Sequence, residues 1–384
     1  MSETSGRLIA LLPWLNLHTS VSLADVTFVP FKDNNGNITP SLEELGESLR
    51  VILSGFVDLE GNPIVSCTVV CIKGRNPAWD LSLSDQAVVQ RAVQFLSLAA
   101  LSANEYYAGG IGNYANTSTF QMVLQRFTEP PKWVSFQIRR RDGRTIDGGY
   151  QHGEVHITVP LACRLLRFTS IDEGFMEGLN SILASNSNMS RRLMSALSFF
   201  NLANSDSETM LQEAEVILTA SAFEQLLETS GALGLSCGVG ELLEEFGSVK
   251  IEAARSVRPG IALDRKYESE QIAWFVHRKW AEELYDLRSQ IIHGELLSER
   301  EWGWSLFEHL VMGAFVFPLL VKLCLAKEGR YAPSNEDKIK CQAIDRLLSR
   351  TRWHDAVGSS SIATVWREVT LATRFRRTYP QPSS

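Results

Sequence analysis

The hydropathy period changes near Thr169, and that change limits what the chain can fold into. Before it, apolar residues alternate or run in β-branched stretches. After it, they recur every three or four positions. Alternation puts side chains on one face of a sheet, whereas the longer period puts them on one stripe of a helix. The order predicts an α+β protein. A mixed α/β domain over 1–168 precedes an all-α antiparallel four-helix bundle over 169–330, followed by a basic, aromatic tail over 331–384.

In the first part, Val51–Val57 and Ile64–Lys73 are β-branched runs joined by Asp58–Pro63, which carries Gly61, Asn62 and Pro63. That pattern predicts a hairpin. Trp133–Arg139 and Tyr150–Val159 flank Asp142-Gly143 and predict a second one. An Ala-, Leu- and Val-rich stretch over 84–106 predicts a helix between them. The short apolar run Leu8–Leu12 is interrupted by Pro13, so it is not expected to be a secretory signal. Leu310–Val321, the longest apolar run, is about 12 residues against the roughly 20 that span a bilayer. It is expected to be a buried core helix, with no membrane partner.

In the second part, Ser170 with Glu173, Ser205 with Glu208 and Ser298 with Glu301 have the spacing of capping boxes. In that motif the hydroxyl accepts a first-turn N–H and the carboxylate reaches back. They predict helices over 170–203 (broken near 185–189), 206–229, 266–293 and 299–327. Gly231, Gly234, Gly238 and Gly240 are expected to break the chain after the second. Gly294 is expected to end the third in a left-handed conformation. Ile272, Val276, Trp280, Leu284, Leu287 and Ile291 give that third helix one apolar stripe.

The end of this helix reads Leu284-Tyr285-Asp286-Leu287-Arg288-Ser289-Gln290-Ile291-Ile292-His293-Gly294. Arg288 and His293 lie off the stripe, five positions apart. On a regular helix they point about 140° from each other. They converge only if the helix loosens at Gly294 or if two copies pair across a twofold axis, which makes each contact twice. Cations at a helix C-terminus are also favourable capping, so the pair by itself leaves both roles open.

The string LYDLRSQIIHG, together with the helical segment Ala196–Glu228, resembles the HEPN superfamily, most closely its Apea-like group. The marker of that superfamily is an arginine, four to six residues, and a histidine at the end of the third bundle helix. Glu224, followed by Leu226 and Leu227, resembles the glutamate and paired leucines of an earlier helix in that group. The likeness covers about 189–325, and 1–168 resembles nothing known to us. It implies a metal-independent endoribonuclease acting by 2′-hydroxyl attack at a dimer interface, in prokaryotic antiviral defence, toxin or stress-response systems. The alternative it leaves open is a catalytically silent module that binds RNA or a partner protein. On the nuclease reading His293 moves protons and Arg288 binds phosphate, which suits a near-neutral imidazole and a planar two-pronged guanidinium. Ser289, Tyr285, His277 and Arg278 are the candidate substrate contacts, with His277 expected on the helix surface. RNA is the expected partner, with a homodimer and a regulatory protein as further partners; no cofactor or metal is implied.

Charge and cysteine content narrow the classes further. A net charge of −7 argues against a globally basic nucleic-acid-coating protein. Six scattered cysteines do not make a disulfide framework, and reduced thiols in the cytoplasm are expected. Residues 350–384 hold six arginines (350, 352, 367, 374, 376, 377) against Asp355 and Glu368, interleaved with Trp353, Trp366, Phe375 and Tyr379. That mixture suits single-stranded RNA, but is more often a tail helix docked on the bundle, which is the reading expected here. Arg139–Arg141 with Arg144 read as a solvated hairpin tip. Gly110–Ala115 matches a dinucleotide fingerprint but follows no strand, so no such site is expected. Cys67 and Cys71 share a strand face about 13 Å apart, too far to hold one metal.

Overall fold

The computed structural model describes residues 7–32, 40–78, 81–103, 116–127, 131–140, 142, 145–151, 153–163, 169–185, 187–205, 209–258, 260–261, 274–294 and 302–350. The chain is mixed α+β, with a sheet in its N-terminal part and helices in its C-terminal part. It divides into two compact units, the first holding Met1–Asn104 and Ala115–Asp172, the second beginning in the main at Glu173. The dinucleotide-like string 110–115, Arg141, Arg144 and the basic segment beyond Arg350 lie outside the described residues.

The first unit is built on a five-stranded antiparallel sheet. Its strands are β1 (Leu8–Leu12), β2 (Val21–Leu23), β3 (Val26–Lys32), β5 (Ser66–Ile72) and β6 (Val123–Arg126), in the order β2-β3-β5-β1-β6. The apolar N-terminal run is thus β1, an interior strand, pairing Ala10 with Val70 and Leu124. Ile9, Leu11, Val29, Phe31, Cys67 and Val69 face one core with Leu49, Ile52 and Phe56. On the same strands Ala10, Leu12, Phe28 and Val70 are also fully buried. Helix α2 (Leu83–Ala103) packs on β3, close to its expected span.

The expected hairpin over 51–73 forms only at its tip, where Val57 bridges Pro63 antiparallel and the Ile64 N–H donates to the Phe56 carbonyl at 3.0 Å. Its first arm is helix α1 (Gly46–Leu53). Leu49, Ile52 and Leu53 are buried at helical spacing there, and burial of that stripe overrides the β preference of Val51 and Ile52. The two-residue strand β4 (Phe56–Val57) follows and pairs in parallel with β9 (Ile157–Thr158). The turn between the arms is as expected. Asp58 accepts backbone N–H bonds from Glu60 and Asn62 at 2.9 and 2.8 Å, and Gly61 takes φ +85°. The second hairpin forms from β7 (Trp133–Arg139) and β8 (Thr145–Gln151), its second arm starting five residues earlier than the alternation suggests.

The second unit has eight α-helices among the described residues, where four were expected. The first divides as anticipated into α3 (Glu173–Leu183) and α4 (Asn188–Ala203). Next comes α5 (Gln212–Leu227), beginning six residues later than Ser205 would place it. Ser205 instead closes the preceding turn, its hydroxyl donating to the Leu202 carbonyl at 2.8 Å. The glycine-rich segment is not a break but helix α6 (Gly231–Leu243). A Cβ at Gly240 would lie 2.5 Å from Arg278 Nε, and one at Gly238 would lie 3.2 Å from Leu227. These glycines permit close helix approach, which overrides their low intrinsic helix preference.

Beyond the short α7 (Ile251–Arg255), α8 runs over Val276–His293 and α9 over Leu306–Lys327. The α9 box is Ser305 with Glu308, seven residues after the one expected at Ser298. Helix α9 is long and apolar enough to cross a membrane by length and composition, and 78% of that window is buried within the protein. Part of the expected tail is helix α10 (Asn335–Leu348), which opens with a capping box of Ser334 and Asp337 and packs on α8 and α9.

Helices α4 and α5 are antiparallel, since Arg192 near the start of one bonds the Leu226 carbonyl near the end of the other at 2.9 Å. A string of aromatics joins four helices. Phe200 of α4 stacks on Phe317 of α9 at 4.2 Å, Phe317 meets Phe223 of α5 edge-on at 5.4 Å, and Phe223 meets Trp280 of α8 edge-on at 5.8 Å. Such pairs add about 0.5–1.5 kcal/mol each beyond the area they bury.

Candidate functional site

The sequence marks α8, and the structure divides it into two chemically different halves. The helix stays regular to His293 and stops where Gly294 adopts φ +72° and donates back to the Gln290 and Ile291 carbonyls. The expected left-handed terminator is therefore present. Regular geometry keeps Arg288 and His293 about 140° apart, so one chain does not bring them to a point.

Directions around the helix axis sort the side chains further. Measured from Arg288, Leu284, Ile291, Trp280 and Leu287 lie between about −40° and −100°, and Tyr285, Ile292, Ser289 and His293 between about +40° and +140°. The first set contains the buried stripe, with Ile291 half-buried at its end. The second is half-buried at Tyr285 and Ser289 and exposed at Ile292 and His293. Arg288, Tyr285, Ser289 and His293 therefore share one accessible arc over the last three turns.

Arg288 is held lightly within that arc. Its Nη2 lies 3.8 Å from Oε2 of Glu224 on α5, beyond hydrogen-bond reach, and its guanidinium sits over the Tyr285 ring at 5.3 Å. Its Nε is buried with no hydrogen-bond acceptor among the described residues. Glu224 is pushed above the usual carboxylate range by burial, and the Arg288 charge only partly offsets that. The glutamate and the motif arginine, 64 positions apart, are thus facing neighbours. The exposed His293 side chain has no hydrogen bond or ion pair with any described residue.

The remaining candidates behave differently. His277 is not on the surface: it is 2% exposed, stacks on Phe275, and its Nδ1 lies 2.8 Å from Oδ1 of Asp345 on α10. Seven residues before Leu284, it falls about 20° from that leucine around the axis, hence at the edge of the buried stripe. Asp345 also accepts backbone N–H bonds from Ser248 and Val249, so the pair fastens three segments. A substrate contact by His277 is excluded by its burial. Arg278 packs on α6, its Nη2 3.3 Å from Cys237 Sγ and its guanidinium over the Trp274 ring at 4.9 Å.

The first half of α8 carries further buried charges that sequence reasoning passed over. Lys279 and Glu282 pair at 3.1 Å. Glu283 accepts from the backbone N–H of Gly303 and Trp304 at 3.1 and 2.9 Å and lies 3.3 Å from His309 Nε2, so it shapes the entry to α9. Arg258 pairs with Glu308 and donates to the carbonyls of Gly303 and Arg350. The available signal was positional, since Glu283 lies only about 40° around the axis from Leu287. A carboxylate so close to the buried stripe needs an internal partner.

Cys67 and Cys71 are buried thiols, the second pushed up to about 12 by burial. Asn116, in a glycosylation-like triplet, is 1% exposed. Among the described residues no group of three or more His, Cys, Asp and Glu side chains is arranged to hold a metal ion. Compared with known proteins, the chain matches no family model, no curated protein and no solved structure.

Proposed function

We propose that the protein is a metal-independent endoribonuclease of HEPN type, with helices α4, α5, α8 and α9 as its four-helix bundle and two copies of α8 facing each other at the active site. The observation that carries this reading is the accessible arc at the end of α8, whose two ends are a guanidinium with no hydrogen bond to a described residue and an exposed imidazole. Regularity of α8 prevents the pair from converging within one chain, and a twofold axis along the arc offers the convergence the chemistry requires. The exposed Ile292 and the Tyr285 ring give that contact apolar area.

RNA brings its own nucleophile. In the proposed step the 2′-oxygen attacks the adjacent phosphorus as its proton passes to an imidazole. The 5′-oxygen leaves with a proton from an acid, giving a 2′,3′-cyclic phosphate and a 5′-hydroxyl. His293 supplies the proton transfer and Arg288 the charge on the phosphoryl oxygens. Ser289 and Tyr285 border the same phosphate.

The alternative, a catalytically silent module that binds RNA or a partner protein, uses the same arc without the proton transfer. Incubation of the full chain with mixed RNA in EDTA separates the two. The nuclease reading expects chelator-resistant cleavage with cyclic-phosphate ends, lost by about 10²–10⁴-fold in His293→Ala. Equal products from both proteins, or none, favour the silent module. A monomer by light scattering at micromolar concentration removes the shared cleft.

A further inference from the structure

We propose that Glu224 is a built-in competitor for the anion that Arg288 binds, so that a phosphodiester gains Arg288 as Glu224 lets go of it. This rests on the reading of Arg288 as a phosphate ligand and adds a regulation to that site.

Three observations support it. The Glu224–Arg288 contact, at 3.8 Å, is an ion pair without a hydrogen bond, so it neutralises the guanidinium without using its donors. Behind it Arg288 Nε is buried with no acceptor among the described residues, so no hydrogen bond to the protein fixes the guanidinium where it stands. The arginine is still 27% exposed at its side chain, with Glu224 at 14%, so an incoming oxyanion meets the cation before the carboxylate. By contrast Arg258, the buried arginine of the same unit, has acceptors at Glu308, Gly303 and Arg350 and has nothing to offer a ligand.

A phosphodiester on Arg288 would place a second negative charge beside the Glu224 carboxylate. Like charges at that range favour protonation of the carboxylate, and burial already works in the same direction. Phosphate binding and proton uptake by Glu224 are therefore linked with one sign: affinity rises as pH falls.

Among the described residues Arg288 is the charge that acts on Glu224, and the titratable groups of the neighbouring helices have other partners or lie elsewhere on them. On α8 it faces Arg288, with Tyr285, Asp286 and His293 in the adjoining turns. On α4, Arg192 is engaged by Glu228 and the Leu226 carbonyl. On α9, His309 is engaged by Glu283 and Lys322 by Asp337. On α6 the titratable side chains are Cys237, beside Arg278, and Glu241. The readout is the difference between variants rather than the slope of one protein.

The test is anisotropy of a labelled, uncleavable 2′-O-methyl oligoribonucleotide with the full chain from pH 5.5 to 8. Glu224→Gln is expected to bind about three- to fivefold tighter than the parent at pH 8, the size of one such ion pair, and to lose part of the pH slope. Glu224→Asp is expected to keep the slope. In an Arg288→Ala background Glu224→Gln is expected to change nothing. Unchanged or weaker binding by Glu224→Gln, or the same gain without Arg288, overturns the competitor role while leaving Arg288 as ligand. Binding by Arg288→Ala equal to the parent, or no binding by any variant, overturns the reading on which it rests.

Discussion

The two halves of α8 carry similar residue types and put them to opposite uses. In the first, His277, Lys279, Glu282 and Glu283 are all at least 97% buried, and each has an ionisable partner. In the second, Arg288 has one loose ion pair and His293 is exposed. A buried charge whose partner is removed costs several kcal/mol, so such groups are fixed in place. An exposed one costs little to redirect, which leaves it available to a ligand. The charges that hold the helix are spent on the protein, and those at its end are not.

The sharpest way to break the comparison is to remove one partner from each half. Glu283→Ala is expected to lower stability by about 3–5 kcal/mol, because it strips Gly303, Trp304 and His309 of their acceptor. Urea denaturation would show it as a lower midpoint. His293→Ala is expected to stay within about 0.5 kcal/mol of the parent. If the two variants unfold alike, the division of α8 is wrong.

A smaller effect tests the packing under the first half. Gly240→Val drives a branched side chain into Arg278 and is expected to cost about 1–3 kcal/mol by thermal unfolding. At the other end, Gly294→Ala forces a Cβ into the left-handed region with open space around it. About 1 kcal/mol is expected there, from the backbone alone.

The pH dependence adds a further contrast. Burial pushes Asp337 upward, but Lys322, Tyr331 and Ser334 together hold it below the usual aspartate range. Its folded value is therefore depressed. The stability it contributes is fully present above the unfolded value near 4 and is lost as pH falls through the lower folded value. Urea midpoints between pH 5 and 2 should fall for the parent and fall less for Asp337→Asn. Glu224 is shifted the other way, so charging it opposes folding and its contribution is lost as pH rises through its raised folded value.

Legibility followed the range of the forces. Gly294, the turn at Asp58 and the helix over 83–103 were readable, because a left-handed stop, an Asx-type turn and a helical period are written in a few adjacent residues. Arg288 and His293 were readable as off-stripe residues near a helix end. Val51–Leu53 misled, since Val51 and Ile52 serve a helix whose buried face is set by the core it packs into. Ser205 and Glu208 misled because capping spacing occurs wherever a serine precedes a glutamate, and only the fold decides which such pair opens a helix.

The sequence by itself determined the change from sheet to helices, the motif helix with its terminator, and the residues at its end. Only the tertiary structure decided that Gly231–Leu243 is a helix, that His277 is sealed against Asp345 from 68 residues away, and that Glu224 stands opposite Arg288. Periodicity and caps act over one or two turns, whereas the partner of a buried charge is fixed by which helices pack together.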